Sequence, residues 1–244
     1  MGELKADVCK YVQTQLAVNA NSEKAAGMSA YMYGKRYQSM YDGKKVLPFY
    51  GTQRPVLTPI IRKVLKEFPP ADRTEYEELV LALWALPHRE EKYIAQRVAV
   101  GHRRYVTPES LPLYRRFIVE GAWWDFVDEA ATHMVRTLVL EHPVETWPTV
   151  DTWIDHGDIW LRRSAIICQV GAKENTDVHR LFDFCGRRLH EKEFFIRKAI
   201  GWALREYSKT DPDAVALFVG RHRDGLSGLS YREATKHIKD LVEG

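Results

Sequence analysis

Apolar positions along this chain recur with the spacing of helices. Phe195, Ile196, Ala199, Ile200 and Ala203 follow an i, i+1, i+4, i+5, i+8 order, which is one apolar stripe down a helix. Comparable helices are predicted at Tyr93-Ile94-Ala95-Gln96-Arg97-Val98, Phe126-Val127-Asp128-Glu129-Ala130-Ala131, Trp160-Leu161-Arg162-Arg163-Ser164-Ala165 and Ser230-Tyr231-Arg232-Glu233-Ala234. The starts at 93, 126, 160, 195 and 230 are 33, 34, 35 and 35 residues apart. A steady period of this size marks a solenoid of stacked units, none of which buries its apolar face alone. The pattern therefore predicts an all-α chain with regular repeats over about 75–244 and more ragged helices over 1–70.

In the ragged part, Leu4, Val8, Tyr11, Val12 and Leu16 share one side of a predicted helix over 3–16, and a second is expected over 21–33 behind Asn21-Ser22-Glu23. Residues 34–50 hold Gly34, Gly43 and Pro48 among lysines, arginines and tyrosines and read as a loop. Thr52-Gln53-Arg54-Pro55 opens a third helix, since proline suits a first turn. No domain boundary stands out, so 1–244 is read as one domain.

Composition narrows the class. A hydrophobic fraction of 45% with 28% charged residues is that of an ordinary soluble protein. No apolar run approaches the roughly 20 residues of a membrane span, and the start Met1-Gly2-Glu3-Leu4-Lys5 predicts neither a signal peptide nor myristoylation. Three scattered cysteines, Cys9, Cys168 and Cys185, fit reduced thiols and a cytoplasmic location. The nine histidines form no HExxH and no Cys/His ligand spacing, so no metal is expected, and no Gly-x-Ser-x-Gly elbow supports a serine hydrolase. The net charge is only +3, but Arg187, Arg188, Lys192, Arg197, Lys198, Arg205 and Lys209 crowd one stretch. Interleaved with tyrosine and tryptophan, such a stretch suits phosphates; the plain alternative is a solvated helix face.

Gly121-Ala122-Trp123-Trp124-Asp125-Phe126-Val127-Asp128 carries the most specific chemistry. Helix neighbours four apart lie one above the other, so Trp124 and Asp128 project together, an indole beside a carboxylate suited to a cation. By repeat phase Trp123 falls in the core, Trp124 at the stripe's edge and Asp128 outside it. Arg163, Lys198 and Trp202 in the following copies also lie off the stripe, where stacked helices present a concave surface. Each residue has a plainer reading: tryptophans in helical repeats are mostly core, Asp128 alone is a surface acid, and Arg163 simply pairs with an acid.

The chain resembles the AlkD family of HEAT-like repeat DNA glycosylases, which remove alkylated purines from DNA. The resemblance runs along nearly all of it and rests on Trp123-Trp124-Asp125-Phe126-Val127-Asp128, Ile159-Trp160-Leu161-Arg162-Arg163 and the stretch from Lys192 to Tyr207. It implies a right-handed superhelical solenoid with a concave DNA-binding groove. It further implies Asp128 as catalytic carboxylate, Trp124 and Trp202 as groove indoles, Arg163 on the DNA backbone, Tyr31 near the lesion, and Gln53 and Arg54 at a helix start touching phosphates. Lys198 and Arg205 add cations to that surface. Between Tyr31 and Gly51 the chain departs from the family by about ten extra residues, roughly Arg36 to Val46, which either touch DNA or form a loop of no consequence.

A purine alkylated at nitrogen 3 or 7 is cationic, so it leaves without protonation while positive charge moves to the sugar. A carboxylate at about 4 Å would stabilise that oxocarbenium by roughly 4 kcal/mol at an effective dielectric near 20, about a thousandfold in rate. The indoles would add about 1 to 2 kcal/mol of cation–π attraction. The expected protein is a monomeric, cofactor-free hydrolase acting on alkylated bases in double-stranded DNA and leaving an abasic site. The family is thought to read the lesion with its base still in the duplex. The competing reading is a binder of damaged or branched DNA, or of another protein, on the same scaffold. A carboxyl placed away from any cavity, or salt-bridged beyond reach of a ligand, would overturn the enzyme.

Overall fold

A computed structural model of the chain describes residues 3–35, 37–40 and 46–242, and within them it contains helices and turns but no strand. The chain divides into two compact units, Met1–Tyr105 and Val106–Gly244.

The first unit holds α1 (Glu3–Val18), α2 (Ser22–Tyr33), α3 (Arg54–Glu67), α4 (Arg73–Ala85) and α5 (Arg89–Gly101). Asn21 caps α2 by accepting from the Lys24 amide at 2.8 Å, and α3 starts at Arg54-Pro55, both as the sequence predicts. Its core is built from Val8, Val12 and Leu16 of α1, Ile60 and Val64 of α3, Tyr76, Leu79 and Leu83 of α4, and Ile94 and Val98 of α5. Of the insertion read at Arg36 to Val46, Arg36 and residues 41–45 lie outside the described residues. Tyr37 is buried, so this tyrosine belongs to the protein's interior.

Three charged residues at the start of α5 are fully buried, Arg89, Glu90 and Glu91. Loop amides need acceptors when water is excluded, and Glu90 supplies them, taking the amides of Tyr50 at 3.1 Å, Gly51 at 2.9 Å and Thr52 at 3.1 Å. Gly51 has φ +81° and no room for a side chain, a Cβ there meeting the Asn21 carbonyl oxygen at 2.1 Å. Arg89 donates to the Tyr33 hydroxyl at 2.6 Å, and the Tyr50 hydroxyl donates to Glu91 at 3.1 Å. This cluster fixes the segment that leads into α3. Glu90→Ala is expected to cost about 3 kcal/mol or more, since buried amides lose a charged acceptor; the urea unfolding midpoint measures it.

The second unit holds α6 (Leu111–Gly121), α7 (Trp124–Glu129), a π-helical segment (Ala130–Val135), α8 (Arg136–Glu141), α9 (Pro143–Trp153), α10 (Ile159–Ile167), α11 (Val178–Arg187), α12 (Phe194–Tyr207), α13 (Pro212–Arg221), α14 (Gly228–Ala234) and α15 (Lys239–Val242). Asp158, Asp177, Asp211 and Ser227 cap α10, α11, α13 and α14 with their side chains, the local signal that restarts each helix after its turn. α7 packs on α10, α10 on α12, and α12 on α14, in the order of the repeat, while α9, α11 and α13 pack behind them. The stripe predicted on α12 is buried throughout, from Phe195 to Ala203.

Candidate active site

The local fold around Trp124 is set by its neighbours. α6 ends at Ala122 in a left-handed conformation (φ 43°, ψ 34°), and the chain turns through extended Trp123 into α7. Trp123 is buried, as its phase predicts, against Phe195 (ring centroids 5.4 Å apart) and Trp160 (6.0 Å). Trp160 and Phe195 are themselves 4.9 Å apart, so three successive repeats share one aromatic core. With Trp123 anchored inward, Trp124 is left half-buried at the edge.

Asp128 lies one turn further along α7. Its two carboxylate oxygens accept from Arg163 of α10, Oδ1 from Nε at 2.7 Å and Oδ2 from a terminal nitrogen at 2.8 Å. The other terminal nitrogen donates to the Phe195 carbonyl at 2.6 Å, so Arg163 ties α7, α10 and α12 together. This corrects the expectation that Arg163 lies off the buried stripe. The residue is only 4% exposed, because its counter-ion sits one repeat back and a guanidinium fork matches a carboxylate in both bonds. Its geometry is that of a group that orients Asp128, with any grip on a DNA backbone left to the two remaining N–H groups. Asp128 itself keeps 18% of its side chain exposed and is not sealed.

Burial pushes the Asp128 carboxyl above the ordinary carboxylate range; Arg163, by charge and by hydrogen bond, pulls it back, and Asp125 adds a smaller push upward. The same carboxyl would thus be harder to keep ionised without Arg163.

Immediately after α7 the helix widens into the π-helical segment Ala130–Val135, a feature the sequence did not announce. Two threonine hydroxyls bond the backbone around this widened stretch: Thr132 donates to the Asp128 carbonyl and Thr137 to the His133 carbonyl, each at 2.7 Å.

The remaining expected residues fall into two places. On α12, Lys198, Trp202 and Arg205 share a face, with Trp202 half-buried. Both cations are already engaged by Glu233 of α14, Lys198 at 2.8 Å and Arg205 at a closer ion pair. Sequence reasoning passed over Glu233, although it stands 35 residues after Lys198, as Arg163 stands 35 after Asp128. In the first unit Tyr31 is 61% exposed and lines a 370 Å³ cleft with Gln53, Met28, Phe49 and Tyr93. Arg54, next to Gln53 at the start of α3, is exposed too. Among the described residues no three His, Cys, Asp or Glu side chains cluster to hold a metal ion, and no helix is long and apolar enough to cross a membrane.

The model of the DNA alkylation repair enzyme family matches residues 12–238. The chain belongs to the DNA alkylation repair enzyme family. Among solved structures, it is similar to a "Predicted DNA alkylation repair enzyme from Enterococcus faecalis", with 30% identity and a TM-score of 0.78 over 90% of this chain and 96% of that one. No functionally curated protein matches. Membership in the DNA alkylation repair family supports an enzyme with a DNA repair role and an all-helical fold.

Proposed function

We propose that this chain is an alkylpurine DNA glycosylase of the AlkD type. The observation that carries the reading is a partly exposed carboxylate, Asp128, oriented in both oxygens by Arg163 one helical turn from the half-buried Trp124. The substrate is duplex DNA bearing a cationic purine, such as 3-methyladenine or 7-methylguanine, with bulkier cationic adducts in the same class.

The cationic base leaves as a neutral purine when its bond to the deoxyribose breaks, and the positive charge passes to the sugar. Asp128 faces that charge and orients a water, whose oxygen bonds to the sugar carbon while its proton is released. Arg163 favours the ionised carboxyl against the effect of burial and fixes its rotamer. Trp124 and Trp202 pack against the sugar and exclude water around it, where indole faces attract cations most strongly. Lys198 and Arg205 meet phosphates; Tyr31, Gln53 and Arg54 are DNA contacts of the first unit. The product is an abasic site with an intact strand, and the protein works as a monomer without a cofactor.

The test is release of 7-methylguanine from methylated duplex DNA by the purified protein. Release sustains the reading. Duplex binding without release favours the non-catalytic binder, which the double engagement of Asp128 by Arg163 would equally suit, as a structural ion pair. Trp202→Ala is expected to lower single-turnover release about tenfold, the equivalent of one cation–π contact, measured at saturating enzyme.

A further inference from the structure

The ion pair at the candidate site has a counterpart two repeats on. Asp128, Arg163, Lys198 and Glu233 stand at equal intervals of 35 residues, and the first two pair with each other as the last two do. The second pair runs in the reverse order, cation before acid, and Glu233 also takes Arg205. Lys198 and Arg205 are seven residues apart, about 10 Å along the helix axis, and lie to either side of Trp202 on the face of α12. A single carboxylate thus ties down both cations, one on each oxygen, leaving the trio one net positive charge where two would stand.

The packing keeps Glu233 in place. α14 approaches α12 so closely that a Cβ on Gly201 would meet the Glu233 Cβ at 2.5 Å and the Ser230 carbonyl oxygen at 3.1 Å. Ser230 also donates to the Arg197 carbonyl at 2.9 Å, bonding the backbone of α12 to the helix that carries the acid. All three charged groups keep a quarter to a third of their side chains exposed, so an approaching phosphate can compete for the cations. The Lys198 hydrogen bond and the positive charges around it hold the Glu233 carboxyl below the usual range, so it stays ionised.

An acid placed between two cations on a DNA-facing surface weakens the pull of any phosphate, damaged duplex or not. We infer that Glu233 is a charge-masking residue of the duplex-binding surface: it neutralises part of Lys198 and Arg205 and lowers affinity for duplex DNA, damaged or not. This rests on the reading of α12 as a DNA-facing helix, but not on base release.

The experiment is anisotropy of a labelled undamaged duplex, titrated with the full-length protein over a series of salt concentrations. Glu233→Gln keeps the shape and removes the charge. It is expected to bind about tenfold tighter near ~0.1 M salt, with the log–log salt slope steeper by about one, the signature of one added phosphate contact. Glu233→Asp keeps the charge and is expected to hold the wild-type slope. Lys198→Met, which leaves Glu233 to Arg205 alone, is expected to bind more weakly with a shallower slope, and it carries the test should the Gln variant fail to fold. A natively melting Gln variant with wild-type affinity and slope would overturn the inference, as would a Lys198→Met variant indistinguishable from wild type. Wild-type protein with no salt-dependent duplex binding would instead remove the DNA-facing reading and the inference with it. Duplex binding without base release removes only the glycosylase and leaves the mask standing.

Discussion

Asp128→Asn is expected to reduce release of 7-methylguanine about a thousandfold while leaving duplex affinity within a few-fold of wild type. The size comes from the charge removed: about 4 kcal/mol for a carboxylate some 4 Å from a developing cation at an effective dielectric near 20. Asparagine keeps one oxygen for Arg163 and nearly the same volume, so the loss isolates charge rather than shape. Single-turnover release at saturating enzyme, with anisotropy on the same duplex, separates the two effects. Undiminished release by the asparagine variant would take the carboxylate out of the mechanism.

The second large effect is expected at Arg163. Burial and Asp125 raise the Asp128 carboxyl, and Arg163 supplies the opposing pull. An opposite charge at this range favours the ionised carboxyl, so Arg163→Met should lift Asp128 further above the ordinary carboxylate range. Release depends on the ionised form and falls as pH drops through the Asp128 pKa. The acid limb of the rate profile should therefore move to higher pH, with release down about a hundredfold below the new midpoint and partly regained in alkali. A residue that served only as a phosphate contact would lose rate equally at every pH. Breaking one side of a buried pair also costs about 3 to 5 kcal/mol of stability, so the assays belong well below the melting temperature. Arg163→Lys, which keeps a charge, is expected to hold the acid limb near its wild-type position.

Much of this was open to inspection in the residues themselves. The repeat starts at 93, 126, 160, 195 and 230 each open or lie within a helix of the second unit or the end of the first, and Trp123 and Trp124 divide between core and edge as their phase requires. Periodicity reports on burial of apolar side chains, and these positions obey it. It does not report on pairing between charges. The phase of Arg163 places it off the stripe, with pairing to an acid as its plainer reading, and a counter-ion one period back holds it inside. The spacing of 35 between Asp128 and Arg163, and again between Lys198 and Glu233, was the available signal. No apolar pattern marks Arg89-Glu90-Glu91 as interior; its burial is explained by loop amides that such a pattern does not count. The widened turn after Asp128 has no signature of composition at all.

That widened turn sets a rule for anyone moving or trimming the site. A wide turn holds about one residue more than an ordinary helical turn for the same sweep. Removing one residue between Ala130 and Val135 would therefore let the stretch close into ordinary helix while the indole and the acid upstream keep their bearing. A deletion scan should find this short interval more forgiving of a single loss than the regular helical turns before and after it, where the same loss throws every upstream side chain out of phase.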